Sequence, residues 1–73
     1  MNLSEVKINK PCKILEIHCK EDIKRRLLDL GMIKGTRITP VLISPSGDPK
    51  AFDIRVTLIA IREDDTKLID IIL

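Results

Sequence analysis

His18 and Cys19 are adjacent, and imidazole and thiolate are both transition-metal ligands. A zinc site needs three or four such ligands around one ion. The stretch CKILEIH (12–18) alternates after Ile14, with Leu15 and Ile17 facing one way and Glu16 and His18 the other. That is the period of a half-buried strand. Successive strand residues point to opposite faces, so His18 and Cys19 diverge. If residues 12–19 form one strand, Cys12 and Cys19 lie about 23 Å apart at roughly 3.3 Å per residue. A disulfide needs Cα atoms within about 7 Å, so no internal bridge is expected. This reading predicts reduced thiols and no metal site.

Catalytic chemistry finds no better footing. There is no Ser-His-Asp spacing, no glycine-rich phosphate loop and no cysteine beside a clear basic activator. Asp64 and Asp65 sit in a turn-like, wet stretch where nothing would raise a carboxylate pKa. The hexapeptide SPSGDP (44–49) offers one carboxylate, Asp48, and one carboxylate is not a metal site. Turn chemistry accounts for it: Pro45 presets φ, Gly47 accepts φ > 0, and Asp48 before Pro49 is pushed toward extended backbone. The Asp48 carboxylate can accept local N–H groups as in an Asx-turn. No enzyme and no cofactor are expected.

Binding is the remaining class. Lys24, Arg25 and Arg26 are the densest basic stretch, and on a helix they spread over a polar arc opposite Ile23 and Leu27. They read either as a solvated helix face or as a docking surface for an acidic partner. Met32 and Ile33 follow in a turn, as exposed partner contacts or as a cap on the core. Phe52 is the sole aromatic, so neither a polyproline groove nor a base-stacking platform can be built. Nucleic acid is not an expected partner.

The elements that position these residues follow from periodicity. Seventy-three residues make a single domain, 1–73. Ile23, Leu27 and Leu30, with Leu28 beside them, form a helical stripe, placing one helix at about residues 22–30 with Asp22 as N-cap and Gly31 as left-handed terminator. Gly35 marks a turn, and Thr36–Ser44 reads as a strand with Pro40 at an edge or bulge. Residues 51–62 form two strands or one bent strand. EDDTK is a helical turn or loop, and LIDIIL is the closing strand. The N-terminal NLSEVKINKP makes a short turn. The expected fold is mainly β: a small, partly open barrel with one α-helix. Residues 1–37 carry nine Lys/Arg against five Asp/Glu, and residues 38–73 carry four against six. The first half therefore presents a mild basic face. No apolar h-region opens the chain and no membrane-length apolar run occurs, so a cytoplasmic protein without membrane insertion is expected.

LLDLGMIKGTRI (27–38), SPSGDP and IAIREDDTKLI (59–69) together resemble the FeoA family, small cytosolic components of bacterial ferrous iron transport. The resemblance spans essentially the whole chain and implies an SH3-like barrel. It also implies an accessory protein that binds and modulates FeoB, the membrane permease with a GTP-binding domain. Lys24, Arg25, Arg26, Met32 and Ile33 would be the contacts, and self-association stays open. SH3-like domains of this kind also end iron-dependent repressors. The alternative is thus a stand-alone regulatory domain that binds protein partners in metal-responsive transcription. Lys34, Val56 and Thr66 stand where the family usually has proline, glycine and alanine. Valine at 56 favours plain extended pairing, so a straighter run over 52–62 is expected.

Overall fold

Ile and Leu are the commonest residues of the chain, and the β-branched Ile in particular favours the one five-stranded antiparallel sheet that forms. The computed structural model describes residues 1–73. A 3-10 turn at Leu3–Glu5 precedes strand β1 (Cys12–Ile17) and helix α1 (Glu21–Asp29). Strands β2 (Arg37–Ile43), β3 (Lys50–Ile54) and β4 (Thr57–Ile61) follow. A one-turn helix α2 (Glu63–Thr66) and strand β5 (Ile69–Ile72) complete the chain. The spatial order is β4-β3-β2-β1-β5. β4 and β5 do not pair, so the sheet stays open, as expected for a partly open barrel. The N-terminal turn is fixed reciprocally: Ser4 N–H donates to Asn2 Oδ1, and Asn2 N–H donates to Glu5 Oε1.

The core is one aliphatic cluster with Phe52 at full burial among Ile14, Ile38, Ile54 and Ile69. α1 contributes Leu27, and Leu3 enters from the N-terminal turn. Two bulges shape the sheet around this cluster. Between β1 and β5 the register runs Ile14↔Ile71, then Glu16↔Asp70, leaving Leu15 as the extra residue. Ile14 and Ile17 point inward while Leu15 and Glu16 both face out. This corrects the expected pairing of Leu15 with Ile17, because an inserted residue breaks the period of two. The strand also ends at Ile17, short of Cys19. The second bulge lies between Pro40 and Leu42 on β2, where Pro40 has no N–H for the ladder. Pro40 was expected at such a place.

α1 begins one residue earlier than its apolar stripe indicates. Lys20 is the N-cap, without a side-chain bond, and Asp22 lies in the first turn beside Glu21. Their charge there complements the helix dipole without capping it. The C-terminus is a Schellman turn: Met32 N–H bonds Leu27 C=O and Gly31 N–H bonds Leu28 C=O, both at 3.0 Å. Gly31 supplies the required φ of +96°. Met32 and Leu27 are the buried hydrophobic pair that accompanies this motif. Leu30, expected in the buried stripe, is instead exposed as the C-cap.

Residues 50–61 form a hairpin with Ile54↔Thr57 as its last pair. Its two turn residues, Arg55 and Val56, have φ of +47° and +61°. These are the backbone signs of a two-residue I′ turn, which matches strand twist. The straighter run expected from Val56 is therefore not formed. The twist of the hairpin outweighs the preference of a β-branched side chain, which is forced into the left-handed region. Val56 is fully exposed, so no packing offsets that strain. Val56→Gly should stabilise the fold by roughly 1 kcal/mol, read as a higher urea midpoint, after the entropy cost of glycine is subtracted. Gly31→Ala should shift the midpoint the other way by roughly 1–2 kcal/mol. A lower midpoint for Val56→Gly would mean that the valine contributes contacts in the turn.

Candidate docking face and side-chain clusters

Lys24, Arg25 and Arg26 do not form a single patch. Lys24 turns to one side of α1, Arg26 to the other, and Arg25 is exposed on the helix. Lys24 rims a groove between α1 and β1 of about 240 Å³. Ile14, Ile17 and Met32 form its floor, and Leu15 and Leu28 its walls. Lys34 and Glu16 complete the rim. Met32 is fully buried and belongs to the core, so of the two residues expected at a contact only Ile33, 46% exposed, is free to touch a partner. Arg26 lines a second cleft with Ile23, Leu27, Ile61 and Arg62. The only ion pairs in the structure involve His18, so all thirteen Lys/Arg lack a carboxylate partner within 4.0 Å. The basic residues of α1 thus keep their charge available.

The two cysteines are structural. Both are free and buried. Cys12 Sγ donates to Ile38 C=O at 3.3 Å, and Cys19 Sγ donates to Asp65 C=O at 3.6 Å. Burial pushes both thiols above their ordinary value of 9.0, and at Cys19 the Asp65 charge adds to that rise against an opposing backbone hydrogen bond. His18 points away from Cys19 and lies between two carboxylates. Its Nε2 is 3.0 Å from Asp70 Oδ2 and 3.3 Å from Glu16 Oε2. Asp70 was missed in the sequence because it is 52 residues away. The available signal was period two: Glu16 in β1 and His18 just beyond its end are two residues apart and turn the same way, and Asp70 interrupts an apolar closing strand.

SPSGDP does more than turn the chain. Gly47 N–H bonds Ser44 C=O at 2.8 Å, and Ser46 Oγ donates to Asp48 C=O at 2.9 Å. The Asp48–Pro49 peptide is cis. Asp48 Oδ1 accepts from Glu63 N–H at 2.8 Å, fifteen residues away, rather than from its own turn. The loop thereby caps the otherwise uncapped start of α2. Gly35, next in sequence to the rim residue Lys34, has φ +87°, and its N–H bonds Ile14 C=O at 2.7 Å.

Two outcomes follow from these contacts. Asp48→Ala should cost about 1 kcal/mol, the usual loss for a helix cap, while Asp48→Asn, which keeps an acceptor, should cost less; urea unfolding measures both. The fold holds both thiols neutral, so the stability tied to them is fully present below pH 9.0 and is lost as pH rises above it. Native protein at pH 8 should react slowly with a thiol reagent and release both thiols only in denaturant. Rapid labelling of two thiols without denaturant would refute the burial argument.

The model of the FeoA domain family matches residues 1–72. No curated protein sequence matches the chain. Among solved structures, FeoA from Chlorobium tepidum is 26% identical with a TM-score of 0.96, over 100% of this chain and 70% of that one. Iron(II) transport protein A from Clostridium thermocellum is 26% identical with a TM-score of 0.91; it is matched over 100% of this chain, which spans 45% of that one. FeoA from Stenotrophomonas maltophilia, solved with zinc and described as an SH3 domain protein, is 28% identical with a TM-score of 0.84, over 97% and 88% of the two chains. The family match over nearly the whole length, joined to the SH3-like sheet and its single main helix, means that the chain belongs to the FeoA family.

Proposed function

We propose that this protein is a cytoplasmic accessory component of ferrous iron uptake. It docks on the cytosolic, GTP-binding part of a FeoB-type permease and modulates it without chemistry of its own. One observation carries the docking: an apolar groove beside α1 whose rim holds Lys24 and Lys34 with no internal ion partner. Unpaired rim charges around a desolvated apolar centre give association rate and register to an acidic partner. Leu15, Leu28 and Ile33 are half-exposed aliphatics that a contact would bury. No helix is long and apolar enough to cross a membrane. The solved Stenotrophomonas relative is described as "possibly acting as a bacterial ferrous iron transport activating factor", and the accessory role proposed for this chain is of the same kind.

The test is an amide-shift titration of labelled protein with the soluble part of the permease, with and without a GTP analogue. Shifts should concentrate in residues 15 and 24–34. Lys24→Glu combined with Lys34→Glu should weaken binding about tenfold, equivalent to about 1.4 kcal/mol. Absence of shifts at high micromolar concentration in either nucleotide state would rule out docking on the soluble part. A regulatory partner in metal-responsive transcription would then be the next to titrate.

A further inference from the structure

We propose that Glu16, His18 and Asp70 form a surface site for a divalent first-row transition ion, independent of the docking reading above. Three features on the β1–β5 edge point to it.

The first is spacing. Ligand atoms about 2.1 Å from an ion lie roughly 3.0 Å apart on an octahedron and roughly 3.4 Å apart on a tetrahedron. The imidazole Nε2 lies 3.0 Å from Asp70 Oδ2 and 3.3 Å from Glu16 Oε2, and the three ligand atoms all fall within 4.8 Å of one another. Small side-chain adjustments bring them onto one ion.

The second is an imbalance of donors. Nε2 carries one proton at most, yet two carboxylate oxygens converge on it. One N–H cannot serve both at full strength. A cation in place of that proton bonds all three groups at once.

The third is charge. Glu16 and Asp70 are direct partners in the β1–β5 register. Like charges directly opposite across a strand pair are destabilising. No Lys or Arg lies within ion-pair distance to relieve them, although the chain has thirteen. The bulge at Leu15 creates this pairing by bringing Glu16 opposite Asp70.

The donor set decides the class of ion. Imidazole with carboxylates suits zinc and ferrous iron better than magnesium or calcium, which prefer all-oxygen shells. All three side chains are about half exposed. Water completes the coordination, and the ion exchanges freely rather than stabilising the fold as a structural zinc does.

Zinc is the probe. The full-length protein is titrated with Zn²⁺ by calorimetry and by amide shifts. One ion should bind per chain, with shifts confined to residues 16–18 and 69–71, and excess Mg²⁺ should not displace it. His18→Ala and Asp70→Asn should each weaken binding at least about tenfold, the loss that even outer-sphere partners incur. Asp53→Asn, a change at an exposed carboxylate on β3, should leave it unchanged. An unchanged amide spectrum of each variant before zinc is added shows that the fold persists. The proposal fails if no saturable binding occurs below millimolar zinc, if shifts centre on Cys12, Cys19 or the N-terminus, or if His18→Ala binds like the parent.

Discussion

Strand β1 changes partners along its length, and the rest of the molecule depends on that change. Its first residues pair with β2, Cys12 with Ile38 and Lys13 with Arg37. From Lys13 onward it pairs with β5, reaching Ile17↔Ile69. The ladder closes a loop of more than fifty residues, but closure entropy rises only slowly with length. Burial of Ile14, Ile17, Ile69 and Ile71 offsets it. Where β2 departs, β1 is left with one side free of strand. Thr36 C=O and Gly35 N–H satisfy Ile14 there, so the turn after α1 replaces a strand partner. The groove beside α1 occupies this vacated side.

The sequence made the architecture legible because its signals were local. The helical stripe ending at Gly31, the turn residues of SPSGDP and the β-branched runs each mark their own element. What it hid was relational. Nothing near Leu15 announces a bulge, since its cause is the register with β5. Nothing near Asp48 names Glu63 N–H as its acceptor's partner. The Val56 turn contradicts side-chain preference because hairpin twist is set by both strands together. The candidate site follows the same division. Basic residues were visible on α1, but their split between two clefts depends on what packs beside each face. Met32 read as a surface candidate only until the Schellman turn folded it under Leu27.

Burial also keeps the two thiols in their less reactive form. A thiol acts as nucleophile or ligand through its thiolate. Cys12 and Cys19 are desolvated, hydrogen-bonded to carbonyls and held neutral. They behave as small core hydrophobes. The reactive potential of the chain has moved to its surface, into charges that have no internal partners. Thirteen basic residues lack ion pairs while two carboxylates crowd one imidazole. In a domain this small, unpaired surface charge contributes little to folding, and its effect lies in what it attracts.

Glu16 joins the two surface features. It stands on the rim of the groove and also belongs to the cluster with His18 and Asp70. Leu15, the bulged residue before it, is a wall of the same groove. An ion held at the cluster would neutralise Glu16 at the rim and fix the orientation of its carboxylate, leaving Lys24 and Lys34 to set the local potential. A partner that favours a more positive rim would then bind better to the ion-loaded form. By linkage, that partner would raise the ion's affinity by the same factor. Neither effect requires a change of fold, because the bulge already places one side chain on both sites.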